Sequence, residues 1–455
     1  MANSLITEVG KFHEVLKYYN VNGYSQDLYL FLGKSSNWDD VNEDGIVNNE
    51  DVPLLTGSKN EDKEIRKNII VLQKLSQTNV SPVIARSDWK KDNVFSCEIN
   101  PIEGKYDYVR TSADQIFKCI WNNNGGESIV EPQLDTTNTN IHDARLYPDG
   151  YVWIYITTID VGAKYQFFDN DWMPIQPYSL LDDIDSDSIG LGQIEYIVVT
   201  DGGSGYDEVP KVTINGDGNS DALAYATIRN GSVSGIVVVN KGTDYTYADI
   251  RISAPQEAGG RNATAKAYIS SIGGTASNPC IELGCTHVSI DVILEAQNDE
   301  IPTNTMFTQI GLISKPKKMV NGKSYYPSEL DDNSSSTIKA YSLIKYVKTA
   351  SNTEIINGSK VVQRDIDGVI FSGDVIYDDM ENCELYLINT FGTPDIGGVI
   401  TTVDSSTDGI MKIVSSFTGQ DFAKHAGNII YVENRVRTKH TKAGNEQFRI
   451  TISFS

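Results

Sequence analysis

One phrase occurs twice in this chain. Ile197-Val-Val-Thr-Asp-Gly-Gly-Ser-Gly-Tyr206 is echoed by Ile236-Val-Val-Val-Asn-Lys-Gly-Thr-Asp-Tyr245, 39 residues further on. Each copy continues into a short strand pattern (Val212 to Ile214; Ile250 to Ile252) and then an alanine-alternating one (Ala222 to Ala226; Ala263 to Ala267). β-branched runs closed by Gly, Asn and Asp are strand-and-turn chemistry, so this stretch is confined to sheet. Two copies are too few for a solenoid. The expectation is a pair of small β-units packed on each other, inserted between Ser188 and about Ile272.

The rest of the chain reads the same way. Phe448, Ile450, Ile452 and Phe454 alternate with Arg449, Thr451 and Ser453, the period of a strand with one buried face. Val288, Ile290, Val292 and Leu294 alternate likewise, followed by a strand from Phe307 to Ile313 that Pro316 stops. Further strands are expected at Leu28 to Leu32, Tyr106 to Val109, Gln115 to Trp121 and Tyr151 to Ile156. Helical spacing is confined to the start: residues 8 to 19, and Asp62 to Leu75, where Ile65, Ile69 and Leu72 form a stripe. The acidic stretch Leu181 to Asp187 reads as a linker, and Asn321 to Asp408 as a polar region of short strands.

A length of 455 residues exceeds what one hydrophobic core serves, so two or three domains are expected. Acidic residues outnumber basic ones 61 to 38, a formal charge of −23 that disfavours nucleic acid and anionic membrane, and no Lys/Arg cluster along the chain is expected to reverse it locally. Apolar runs are strand-sized, with no membrane span. The first residues lack a secretion signal, so assembly in a cytoplasm is expected. Cys97, Cys119, Cys280, Cys285 and Cys383 are scattered and odd in number, which reads as buried thiols rather than a disulfide framework. Cys280, Cys285 and His287 lack a second ligand pair for zinc.

One motif carries metal chemistry. In Asp40-Val-Asn-Glu-Asp-Gly-Ile-Val-Asn-Asn-Glu-Asp51, Asp40, Asn42 and Asp44 fill positions 1, 3 and 5 of a calcium loop. Gly45 permits the sharp turn, Ile46 offers its carbonyl and Asp51 closes the ring of oxygens. A structural Ca2+ held by Asp40, Asn42, Asp44, Ile46 and Asp51 is therefore the expected cofactor, against the alternative of a polar turn. Gly202 to Asp207 begins like a calcium β-roll but lacks tandem copies and reads as a turn. No phosphate-cradling loop, zinc-protease His-Glu pair or serine-hydrolase elbow occurs, and the five histidines lie far apart. No catalytic residue is assigned. The basic cluster Arg435 to Lys442 reads as a solvated turn or as a docking patch for an acidic neighbour.

Separated segments together resemble a known family. They are Lys11-Phe12 with Tyr18-Tyr19-Asn20; Leu28-Tyr-Leu-Phe-Leu-Gly-Lys34 with Trp38; Val83-Ile-Ala-Arg-Ser-Asp-Trp89; and Asp149-Gly-Tyr-Val-Trp-Ile-Tyr155. Val288 to Leu294, Phe307-Thr-Gln-Ile-Gly-Leu-Ile-Ser-Lys-Pro316 and His425-Ala-Gly-Asn-Ile-Ile-Tyr-Val-Glu-Asn-Arg435 complete the set. In this order they resemble a baseplate wedge protein of T-even-type contractile phage tails, over roughly half the chain. The chain departs from that pattern at the calcium-like loop, at the repeat, in the longer stretch from about 320 to 415, and after Arg435. The resemblance implies a β-sandwich domain made from both termini, an inserted β domain, a homodimer, and loops that grip other wedge proteins.

The expected fold is thus mainly β (α+β). Residues 1–88 plus 273–455 are expected to form a discontinuous β-sandwich domain with two N-terminal helices. Residues 89–187 are expected to form an inserted β domain, and 188–272 the two-copy repeat insertion. The expected role is a non-enzymatic structural virion protein of the tail baseplate, binding neither nucleic acid nor membrane. The alternative is a calcium-loaded β-rich carbohydrate- or surface-binding module; a polysaccharide depolymerase ranks below both.

Overall fold

The computed structural model describes residues 28–35, 38, 52–98, 103–137, 140–176, 192–219, 221–270, 275–294, 301–302, 304–330, 337–347, 353–403, 409–440 and 446–453. Strands account for 51% and helices for 8%, so the protein is mainly β. The expected helix over residues 8 to 19 and the linker Leu181 to Asp187 lie outside the described residues. Among the described residues, no helix is long and apolar enough to cross a membrane. The chain divides into two compact units, one of Met1–Asn20, Val80–Asp291 and Arg449–Ser455, the other of Val21–Asn79 and Val292–Phe448.

In the second of these units, an antiparallel sheet runs in the order Thr337–Lys339, Ile69–Lys74, Leu28–Gly33, Met306–Ser314, Asn428–Lys439. Segments from both ends of the sequence therefore share one sheet, with Leu28 opposite Ser314 and Ile310 opposite Glu433. Leu28–Gly33 is buried along its whole length, as a central strand covered on both faces must be. Gly311 is dictated by packing: a Cβ there would stand 2.5 Å from Cζ of Phe31 and 2.3 Å from the Tyr431 carbonyl.

Helix Lys59–Asn68 starts where the Ser58 side chain accepts from the Glu61 N–H, with Glu61 and Asp62 in its first turn. It is shorter than the stripe of Ile65, Ile69 and Leu72 predicts, because Ile69–Lys74 forms a strand instead. The run Ile69-Ile70-Val71 is β-branched and buried on both faces. Pairing to Leu28–Gly33 wins over local helical spacing there.

The polar region of short strands expected over Asn321 to Asp408 contains most of a closed six-stranded barrel. Its order is Ser342–Val347, Glu384–Gly392, Gly368–Asp379, Lys360–Asp365, Val399–Thr402, Met411–Thr418, and the last strand pairs back to the first. Ile344, Val361, Phe371, Val375, Leu385, Leu387, Ile400 and Val414 fill it. Closure leaves no unpaired edge.

Strands Glu446–Ser453, His287–Leu294, Val80–Ala85 and Trp172–Pro174 form a four-stranded sheet, whose pairing of His287 with Val83 and Ile290 with Val80 lies in the other unit. Phe448 and Ile450 are buried while Arg449 is exposed, the alternation read from the sequence. A second sheet orders Tyr108–Arg110, Gln115–Asn122, Tyr151–Thr158 and Arg145–Leu146 around Phe95, Phe117, Tyr151 and Trp153, with Phe95 edge-on to both Tyr151 and Trp153.

The repeat folds differently from two units packed together. Ile194–Asp201 pairs with Thr264–Ile269, Val212–Gly216 with Ala248–Ile252, and Leu223–Arg229 with Ser232–Asn240. Every strand of one copy pairs with a strand of the other, giving one body with one core. The cause is the turn between copies. Asn230 and Gly231 both have positive φ (51° and 73°), the two-residue hairpin geometry that sets Arg229 opposite Ser232. Once the third strand of the first copy meets the first strand of the second, the remaining pairs follow outward. The echoed Tyr206 and Tyr245 are both buried in that core.

Candidate functional site

Among the described residues, a concentration of cationic side chains lies within the unit Val21–Asn79 and Val292–Phe448, in a groove of about 1380 Å³. Three stretches supply its cationic side chains, and Ser324, Tyr326, Asn389 and Thr390 complete the lining. Helix Lys59–Asn68 contributes Lys63, Arg66 and Lys67, which share a face by their spacing of three and four. The chain leaving strand Met306–Ser314 contributes Lys315, in the left-handed region at φ 53°, and Lys317. The third stretch, Gln420 to Asn428, contributes Lys424 and His425.

Backbone bonds fix that third stretch. Met319 N–H donates to the Asp421 carbonyl at 2.6 Å, Ala423 N–H to the Lys317 carbonyl at 3.0 Å, and Ala426 N–H to the Ala423 carbonyl at 2.9 Å. Phe422 is fully buried beside Ile65 and Ile313 and pins the segment to the core. Gly427 has φ +89°, which lets the chain turn into strand Asn428–Lys439. Arg66 Nη1 donates to the Gly427 carbonyl at 3.4 Å, tying helix to loop.

Six Lys/Arg side chains line the groove against one carboxylate, Glu64, which already pairs with Lys67 at 2.6 Å. Lys317 sits 4.4 Å above the Tyr326 ring. Lys424 has no carboxylate within ion-pairing distance among the described residues. Burial lowers its pKa to about 8, Asp374 opposes the shift and Lys67 adds to it. A chain of net charge −23 thus keeps a cationic groove whose charges are satisfied by little within it. Chemically, such a surface can hold an anion; it contains no nucleophile–base pair.

A smaller cavity in the other unit is lined by Cys97, Asp107, Lys118, Cys119, Lys266 and Tyr268. Lys118 donates to the Glu282 carbonyl at 2.8 Å and lies 3.5 Å from Asp107, and Tyr268 donates to Glu282 at 2.5 Å. This cluster neutralises itself and joins neighbouring segments of its unit.

The residues Asp40, Asn42, Asp44, Ile46 and Asp51 lie outside the described residues. Among the described residues no group of three His, Cys, Asp or Glu could hold a metal. Cys280 and Cys285 are buried, and Cys285 Sγ bonds the Val83 carbonyl at 3.3 Å. Cys97 and Cys383 are only half-buried, so the reading of five buried thiols holds for three. The basic cluster Arg435 to Lys442 is no turn through Lys439: Arg435, Arg437 and Lys439 lie on strand Asn428–Lys439, and Arg435 pairs with Glu433 at 3.3 Å. The reason is register, since that strand must run the full length of its partner Met306–Ser314. Residues 441–445 lie outside the described residues.

Sequence reasoning missed the groove because its cations come from stretches far apart in the chain. The local signals were Lys315-Pro-Lys-Lys318 and the helical spacing of Lys63, Arg66 and Lys67, each too short to weigh against the overall acidity. Compared with known protein families, the chain matches no family model, and it matches no curated protein.

Proposed function

We propose that this chain is a non-enzymatic structural component of a contractile phage tail baseplate wedge, acting in the virion as a homodimer through contacts with other wedge proteins. One observation carries the reading. Three of the segments that bear the resemblance, Leu28 to Lys34, Phe307 to Pro316 and His425 to Arg435, supply the three consecutive strands Leu28–Gly33, Met306–Ser314 and Asn428–Lys439 of one sheet. That segments so far apart in sequence become neighbours in space supports reading them as one framework.

A mainly β scaffold with a closed barrel supports a mechanical role. Packed cores deform little and move as rigid bodies when neighbouring subunits shift. Two copies joined by a twofold interface would present the same loops twice, which suits a connector between wedges. A calcium ion in the Asp40–Asp51 loop belongs to the same reading as a local staple. Asp40→Ala should then lower thermal stability with calcium present and leave it unchanged in chelator.

The test is affinity capture of the tagged chain from infected cells, read by mass spectrometry, together with the mass of the purified protein in solution. Recovery of other tail subunits with a dimeric mass supports the proposal. A monomer that captures no tail subunit, or that turns over a polysaccharide, overturns it.

A further inference from the structure

We propose that the cationic groove between helix Lys59–Asn68 and the Gln420 to Asn428 segment is the docking site for a carboxylate-rich polypeptide segment of a partner protein. The proposal rests on the reading of this chain as a protein-binding scaffold and names the chemistry of one contact.

Charge argues first. Lys63, Lys315 and Lys424 make no ion pair among the described residues, although the chain as a whole carries 23 excess negative charges. Gathering like charges raises the energy of the free state, and a docked carboxylate removes that repulsion. Lys424 is the clearest instance, since it is half-buried with no carboxylate at contact distance among the described residues.

Size argues second. At about 1380 Å³ the groove exceeds the ~300–1,000 Å³ of ordinary small-ligand sites, and fits an extended segment better than a single metabolite.

The surroundings of the groove favour a carboxylate segment over nucleic acid. Stacking surface for bases is small among the described lining residues: Phe422 is buried, Lys317 stands over one face of Tyr326, and His425 is the one exposed ring. The acidic remainder of the chain repels a long polyanion but leaves a short acidic segment tolerable.

The experiment uses the full chain and a fluorescent peptide of alternating Asp, Glu and Ser, read by anisotropy. A lysine-substituted peptide, inorganic phosphate and a single-stranded oligonucleotide serve as the other arms. The acidic peptide should bind, weaken steeply with salt, and lose at least roughly tenfold in affinity in Lys63→Glu/Lys315→Glu. Both side chains are exposed, and an unchanged melting temperature shows that the double variant folds. Lys424→Met should weaken binding independently. No peptide binding, or binding indifferent to the double variant, overturns the proposal, as does stronger binding of the oligonucleotide. A dimer of the chain itself that the peptide dissolves makes a second copy the occupant and overturns the partner assignment. Capture of tail subunits that persists in Lys63→Glu/Lys315→Glu sinks the groove alone and leaves the wider scaffold reading standing.

Discussion

Inside the closed barrel the Lys412 ammonium donates to the Asp378 carboxylate, with the two side chains 4% and 0% exposed. Asp378 also accepts from the Tyr346 hydroxyl and the Ile355 N–H, each at 2.8 Å, and Lys412 stands 3.9 Å over the Tyr346 ring. Burial pulls the Lys412 pKa below its usual value, and Asp378 opposes that shift. Asp378→Ala therefore leaves a sealed cation alone, and a loss of roughly 3–5 kcal/mol is expected. Lys412→Met should be milder, because Asp378 keeps two donors. Urea denaturation of both variants checks the order; a milder effect from Asp378→Ala refutes it.

Tyr245 is enclosed by glycines. A Cβ on Gly218 would stand 2.5 Å from its ring, one on Gly242 2.7 Å and one on Gly216 2.9 Å. Gly218 is not in the left-handed region, so Gly218→Ala tests the steric conflict alone. The buried ring has no room to retreat, and a loss of about 1–3 kcal/mol is expected by calorimetry. An unchanged melting temperature would show that the cage is loose.

Arg86, Arg110 and Lys164 surround the Phe168 ring at 4.7, 4.7 and 5.8 Å while pairing with Asp88 and Asp114. Burial pushes the Asp88 carboxyl up, but hydrogen bonds from Arg86 and Arg110 outweigh it and hold the pKa below the usual value. Asp114 is lowered in the same way by Lys164 and Arg110. A lowered carboxylate pKa contributes stability above the unfolded value and loses it as pH falls through the folded one. Melting temperature should therefore drop below about pH 4, with a shallower slope in Asp88→Asn. Parallel slopes for variant and parent would remove this network from the acid response.

The Cys97 and Cys119 sulfurs lie 3.6 Å apart. The hydrogen bond with Cys119 lowers the Cys97 pKa, whereas burial drives that of Cys119 up. Because the thiolate is the nucleophile, iodoacetamide near neutral pH should modify Cys97 ahead of Cys119, as resolved by peptide mass spectrometry. Equal rates would contradict the assignment.

How far the sequence could be read depended on whether local pattern and long-range pairing agreed. Where one face is buried, as at Phe448 and Ile450, alternation located the strand directly. At Ile69 the same apolar spacing served a helix or a strand equally, and only the partner Leu28–Gly33 decided. The barrel escaped notice because strand Gly368–Asp379 shifts register between Ser372 and Asp374 and again between Val375 and Tyr377, which scrambles its period of two. The groove escaped for a different reason. Its charge is a property of three distant stretches meeting, and no window of sequence contains it.

The nested pairing within the repeat has a consequence for how such a chain can arise. Because its outermost strands are partners, the way in and the way out meet: Ser270 N–H donates to the Gln193 carbonyl at 2.9 Å, and Gln193 N–H to the Ser270 hydroxyl at 3.1 Å. A module whose ends touch can be spliced into a surface bend of a host without prying apart what flanks it. The 39-residue duplication is therefore portable as a cassette, free to change its decoration while the host framework stays as it was.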